Sequence, residues 1–592
     1  MSGYVAVLSR RGGDVDAGLL ARLASPLAPH GPHAAGEHRE DGVGLAHALL
    51  RARENASCGP HRSPRGAWLV GDVRIDAQAA LRDALAAAGE AVPRASPDES
   101  LVLAAWHVWG EDAAARLLGD FSFAIWDPAR RVLFCARDAF GVRPLYYADA
   151  GDTFVCSNVL GAVRAHPAVS ARLHEPAIVS FLCVGWNVDL TTTSFADVRR
   201  LAPAHQLVVP ADAHAAATPR RYWSFPVPAP LRLRRDEDYV ERFRALLGEA
   251  ARDRLRVPRV AILLSGGLDS PSLAATARRV APEAELVAYT TVVSPMVPDG
   301  DTPLASLVAR RLGVRHEIVD DVPLPLEHLG DRAFRPEEPL DEPEQSAWLR
   351  LARRIAAESP VLFVGEDGDA LFQPPGLMTM LRTWPVLDVL SRVVRYTISH
   401  GHHPHLGLWL RRRLRALGRP REDPLPPWVR RDVVARTGVP LPAPIPRHPT
   451  RPESQQFLLG TVVQSIFEGF EPAYTRAALE ARWPFLDLRV LEFALAIPPV
   501  PWCQRKELMR RAFRGELPDE VLRRPKTTLT GYDDAQVAMW RAAQDWRPLE
   551  LAPRTNEFVD SAGLLDYLRV GSTSQVLAAW RVLALDRWLR AL

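Results

Sequence analysis

Apolar and polar positions alternate in two different rhythms along the chain. Up to about residue 215 the apolar runs are short and bounded by Gly, Asp and Pro. Tyr4–Leu8, Ala67–Val70 and Arg131–Cys135 read as strands. Leu81–Ala88 and Glu99–Trp109 carry apolar residues at helical spacing. A proline-rich connector, Trp223–Pro230, follows and predicts a boundary. From about residue 236 the rhythm changes. A helix with Tyr239, Phe243, Leu246 and Leu247 on one face leads into the continuous apolar strand Val260–Leu264. Next come a helix Pro271–Val280, a strand Leu286–Val293, a helix Thr302–Leu312, a strand Arg315–Val319, a helix Gln345–Glu358 and a strand Val361–Val364. Apolar strands alternating with helices predict a parallel sheet covered on both faces. The remainder reads as mostly helical, with proline-rich breaks near 424–427 and 440–449.

Composition narrows the function classes. The 592 residues carry 73 basic and 70 acidic side chains, a formal net charge of +3. That balance argues against a chain built to hold nucleic acid or an anionic membrane. No run approaches the roughly 18 apolar residues of a membrane span, and the N-terminus lacks the pattern of a signal peptide. The five cysteines, Cys58, Cys135, Cys156, Cys183 and Cys503, are spread without a zinc or disulfide spacing, so a reducing cytoplasm is expected. All but two of the basic residues are arginine; the exceptions, Lys506 and Lys526, fall in one short stretch. Against that background a compact ammonium is a marked choice.

Two segments carry chemistry. Ser265-Gly266-Gly267-Leu268-Asp269-Ser270 follows an apolar strand and opens a helix with proline in its first turn. Its glycines admit an anion to the backbone N–H groups of the helix start. A P-loop is excluded, because neither lysine follows a glycine. Gly365-Glu366-Asp367-Gly368-Asp369 leaves the strand ending at Val364. In an open parallel sheet both segments lie at carboxyl ends of strands, so Asp269 and Asp369 are placed to hold Mg²⁺ together with nucleotide phosphates. The cluster His400, His402, His403 and His405 lacks a metal-site spacing and reads as a loop. Arg411–Arg413 and Arg415 read as a solvated helix face, and Trp384, Trp409 and Trp428 as core.

These segments resemble the asparagine synthetase family and its N-type ATP pyrophosphatase relatives. SGGLDS is similar to the pyrophosphate loop, residues 365–372 to GEGxDELF, and Glu480–Asp487 to EAR-x-PFLD. Gly119–Asp127 and Arg137–Tyr147 resemble the family's glutaminase domain. The resemblance implies a β-rich, Ntn-type glutaminase-like α+β domain over 1–215. It also implies an α/β synthetase domain over 236–592, with a helical insertion at about 375–475. Two departures stand out: Ser2 occupies the place of the nucleophilic cysteine, and Val70-Gly71-Asp72 that of the glutamine-binding NGE. A hydroxyl is the weaker nucleophile, so the first domain is expected to be non-catalytic and the amine to come from a substrate. Branches with that property are the β-lactam synthetases and the lasso peptide cyclases. Pro426-Pro427-Trp428, Trp502–Ala512, Arg523–Thr527 and Ala579–Leu585 resemble the cyclases, and Glu366 stands where β-lactam synthetases carry tyrosine.

The resemblance implies an ATP-dependent cyclase that adenylates an Asp or Glu side chain of a precursor core peptide. The peptide's own N-terminal amine then closes a macrolactam. ATP phosphates would lie on Ser265, Gly266, Gly267, Leu268, Asp269 and Ser270, and adenine near Leu263, Thr291 and Gly365. Mg²⁺ would sit between Asp269 and Asp369. Lys526 would contact the α-phosphate and Lys506 would support pyrophosphate. Glu366 and Glu468 are the candidate bases. A leader peptidase and a leader-recognition protein are the implied partners. The alternatives are an amidating enzyme fed with ammonia, a β-lactam-forming or other small-molecule ligase, and a non-enzymatic binder that keeps the fold.

Overall fold

The computed structural model describes the chain except residues 11, 212–216, 293–298, 320–335, 341–344, 405–424, 439–444, 446, 526–533, 535–536, 539–540 and 542–549, and the side chains of 345–347. Lys526, His405, Trp409, Arg411–Arg413 and Arg415 therefore lie outside the described residues.

The first half is built from two six-stranded antiparallel sheets. One has Gly3–Ser9 between Val43–Leu49 and Thr153–Ser157; the other has Gly119–Asp127 between Trp68–Ile75 and Val132–Arg137. Strand alternation sends Tyr4, Ala6, Leu8, Val43 and Leu45 toward Val70, Ala124, Trp126 and Leu133, which form the layer between the sheets. The opposite faces are covered by helices. Gln78–Ala87 and Asp98–Trp109 pack on one sheet, with Trp106 against Phe134. Ala17–Ala24, Leu160–Arg164 and Glu175–Val184 cover the other. The result is four layers, helix, sheet, sheet, helix, as the expected glutaminase-like class requires. Arg220–Arg221 still pairs with His205–Gln206, so the first unit's sheet runs slightly beyond residue 215.

The second half holds a five-stranded parallel sheet in the order Arg315–Val319, Glu285–Thr291, Arg259–Leu263, Val361–Phe363, Glu480–Arg482. The first of these strands in sequence, Arg259–Leu263, lies in the middle. The chain turns outward on either side of it, which makes its carboxyl end the topological switch point. Helix Thr302–Leu312 has proline in its first turn and left-handed Gly313 after its last residue (φ 63°), the usual start and stop chemistry. Helices Asp236–Arg254, Asp269–Val280 and Gln345–Glu358 complete the covering layers. The strand expected over Leu286–Val293 ends at Thr291, and Val293 lies outside the described residues. Across the expected insertion the described elements are helices, including Leu377–Thr383, Val386–His400 and Thr461–Gly469.

The two halves are joined through buried charge. Arg254 pairs with Asp487 (2.8 Å) and with Asp76 of the first half (3.0 Å). Arg143 pairs with Asp72 (3.2 Å) and with Glu480 (3.0 Å). Arg482 donates to the Ala52 carbonyl (2.6 Å). The C-terminal helix Thr573–Ala591 packs on the first half too: Trp588 lies against Phe195, and Arg581 donates to the Cys183 carbonyl (2.7 Å). All five cysteines are free thiols. Among the described residues no helix is long and apolar enough to cross a membrane.

Candidate nucleotide site

The strands that flank the switch point deliver both chemical segments to one place. Residues 265–268 leave Arg259–Leu263 and run into helix Asp269–Val280; residues 364–367 leave the adjacent Val361–Phe363. The two loops touch closely because both carry glycine. A Cβ on Gly368 would stand 2.6 Å from the Asp269 carboxyl carbon, and one on Gly365 would stand 3.1 Å from the Ser270 Cα. The loop is internally braced: Ser265 N–H donates to Ser270 Oγ (2.9 Å), Gly267 N–H reaches Ser265 Oγ (3.2 Å), and the two hydroxyls lie 3.0 Å apart. Leu263, Thr291 and Gly365 stand at or just beyond the ends of three neighbouring strands, so the expected adenine position is one connected rim.

Lys506 joins the carboxylates. Its Nζ is 2.6 and 2.5 Å from the two Asp269 oxygens and 2.6 Å from Asp369 Oδ1. The pair expected to hold a divalent cation thus surrounds an ammonium. Oxygen donors that already gather a positive charge suit Mg²⁺, and the pair fits the ion once phosphate oxygens complete the shell. Among the described residues no three His, Cys, Asp or Glu side chains gather to hold a metal by themselves. The backbone that presents Lys506 is strained. Arg505 (φ 48°) and Lys506 (φ 57°) are consecutive left-handed residues that are not glycine, at about 1–3 kcal/mol each.

Acid groups divide by environment. Asp367 is buried, and desolvation together with Glu366 and Asp269 holds its carboxyl well above the ordinary range. Glu366 reaches solvent, yet desolvation by the surrounding protein also raises its carboxyl. Glu468 is placed elsewhere. It is buried against the first half, 3.1 Å from Arg200, which also pairs with Glu338. Burial raises its carboxyl and Arg200 opposes the rise. The described partners of this second candidate base belong to the contact between the halves.

Sequence reasoning named the stretch containing Arg524 without assigning it a role. The structure sets its guanidinium against the phosphate loop: a Cβ on Gly266 would stand 2.3 Å from Arg524 Nη1 and 2.9 Å from the Asp301 backbone. Arg524 also pairs with Asp301. The Asp301 backbone is the contact that a side chain at 266 could not displace, and nothing in the sequence pairs Gly266 with Arg524.

In the first half, Ser2 Oγ accepts from Leu50 N–H (3.0 Å), Ser2 N–H lies 3.3 Å from Asp72 Oδ1, and the Asn158 amide donates to the Ser2 carbonyl (2.7 Å). The Met1 amine donates to the Leu479 carbonyl of the second half (3.1 Å).

Residues 242–590 match the family described as asparagine synthase, and residues 1–223 match the glutamine amidotransferase domain. Among curated proteins, the chain is 26% identical to asparagine synthetase [glutamine-hydrolyzing] 3 of Bacillus subtilis, over 76% of this chain and 72% of that protein. It is 27% identical to a putative asparagine synthetase [glutamine-hydrolyzing] of Mycobacterium tuberculosis, over 97% and 93%. It is also 28% identical to amidase chry2 of Gibberella zeae, over 49% and 46%.

Proposed function

Because this chain belongs to the asparagine synthase family of ATP-dependent amide ligases, we propose that it closes a lactam within one peptide substrate. An Asp or Glu side chain of the peptide is activated as an acyl-adenylate, and the peptide's N-terminal amine displaces AMP. Lasso peptide cyclase is the specific form of this reading. A leader peptidase and a leader-recognition protein are the partners it entails.

The observation that carries the first step is the meeting of Asp269, Asp369 and Lys506 at the switch point. ATP phosphates would take the N–H groups of residues 265–270. Asp269 and Asp369 would hold Mg²⁺, which supplies charge neutralisation on the phosphate oxygens. The peptide carboxylate attacks the α-phosphorus, the bond to the β-phosphate breaks, and pyrophosphate leaves. Lys506 beside Asp269 and Arg524 beside Gly266 would neutralise that leaving charge. Lys526 is assigned to the α-phosphate by resemblance alone. For the second step Glu366 is the better-placed base: it shares the loop of Asp369, and desolvation raises its carboxyl, which makes it a stronger proton acceptor.

The source of the amine is argued from Ser2. A hydroxyl stands where glutamine-dependent relatives need a thiol, and it is engaged with Leu50 N–H. An ammonia-fed amidating enzyme is the second reading; Glu366 is compatible with it, and the curated relatives include asparagine synthetases, named as glutamine-hydrolyzing. Purified protein with ATP, Mg²⁺ and a precursor core peptide separates them. The cyclase reading expects a product lighter by one water and insensitive to ammonium. A product that appears only with added ammonium, carrying a primary amide, supports the second reading instead.

A further inference from the structure

The proposed chemistry uses Lys506 and Arg524, and nothing named so far fixes how the segments carrying them meet. Arg510 does. Its Nε donates to the carbonyl of Arg505 (2.7 Å), one residue before Lys506. Its terminal nitrogens donate to the carbonyls of Leu522 and Arg524 (2.8 Å to the latter), the second of which stands two residues before Lys526 in sequence. One half-buried guanidinium thus spans three main-chain carbonyls on two separate turns. Its neighbour Arg511 behaves differently, pairing with the carboxylates of Glu507 and Asp236.

Three circumstances give this clasp consequence. Arg505 and Lys506 are both left-handed, and such strain persists only where surrounding bonds over-determine it; the bond to the Arg505 carbonyl falls on that strained pair. The turn held at Leu522 and Arg524 also places the Arg524 side chain against Gly266. The planar five-donor fork of arginine suits three divergent acceptors, which a point-charge ammonium does not.

We infer that Arg510 is a positioning residue of the nucleotide site: by tying the turn that presents Lys506 to the turn that carries Arg524, it sets these two cations beside the 265–270 loop as a unit. This rests on the ATP-dependent reading above. It assigns Arg510 no contact with substrate.

The test is MgATP binding by calorimetry to the full chain, alongside thermal melting, for the native protein, R510Q, R510K, K506M and the double variant R510Q/K506M. R510Q is expected to weaken MgATP by about tenfold, the effect of a misplaced rather than a missing charge. R510K should recover only part of that loss. In the K506M background R510Q should cost clearly less than it does in the native protein, because one of the two cations it positions is already gone. Should R510Q fail to fold, R510K carries the comparison and is expected to bind measurably more weakly than native protein at an unchanged melting temperature. R510Q or R510K binding as tightly as native protein overturns the inference, as do R510Q and K506M losses that multiply. Native protein that binds no MgATP overturns the ligase reading, and this inference with it; intact native binding with an indifferent R510Q overturns this inference alone.

Discussion

Lys506 shows how one side chain can carry two roles at different stages. Its ammonium lies 2.5–2.6 Å from oxygens of both strand-end carboxylates. It therefore competes with a divalent ion for them. K506M is expected to bind Mn²⁺ several-fold more tightly than native protein when no nucleotide is present, read by electron paramagnetic resonance, and to bind pyrophosphate more weakly. Unchanged or weaker Mn²⁺ binding contradicts the bridging role. Lys526 carries the complementary expectation. K526A should abolish lactam formation, measured by mass spectrometry, and near-native turnover would remove it from the mechanism. The scarcity of lysine singled out both residues, of which the structure describes Lys506. It could not reveal that Lys506 faces carboxylates, because that depends on a left-handed turn with no glycine to announce it.

At the scale of elements, the site is a meeting of two loops at adjacent strand ends. Gly365 and Gly368 are required there by close approach rather than by backbone conformation. In G368A the new Cβ must push the Asp269 carboxylate aside. A displacement near 1 Å in such a site costs about 10²-fold in rate, so G368A should lose adenylation, followed by ATP–pyrophosphate exchange, while melting close to the native temperature. Strand and helix periodicity made this sheet legible: the helices at 302–312 and 345–358 and the strand at 315–319 agree with the spacing of apolar residues. The role of Glu480–Asp487 was not legible. Its likeness to a synthetase motif suggested nothing about position, and the structure uses Glu480, Arg482 and Asp487 to grip the first half. The setting of Glu468 was not legible for the same reason. A glutamate at a suggestive distance along the chain is turned by its helix toward Arg200, and such long-range pairings leave no periodic trace.

At the scale of the whole molecule, the two halves are bound by charges that water cannot reach. R254A removes one partner from each of Asp76 and Asp487, which keep Arg74 and Arg489 respectively. Breaking a buried pair outright costs about 3–5 kcal/mol, so with these partners remaining the loss should fall below that range, measurable as a lowered denaturant midpoint. The same contact sets a pH response. Burial pushes Glu337 up to about 7 and Glu471 up to about 8, from an ordinary 4.5. A carboxyl raised on folding binds its proton more tightly in the folded chain. The stability it confers is complete below its unfolded value and is lost as pH climbs through about 7 and about 8. Neither Glu471 oxygen has a hydrogen-bond partner among the described residues. E471Q, neutral at every pH, should therefore flatten the fall in melting temperature on the alkaline side; an unaltered slope would remove Glu471 as its source.

The whole account depends on where ATP is cut and by what. The direct measurement is to supply precursor peptide whose side-chain carboxyl carries ¹⁸O and to analyse the nucleotide product. Adenylation predicts AMP bearing one ¹⁸O, released with unlabelled pyrophosphate. ADP, with ¹⁸O in orthophosphate, would contradict it.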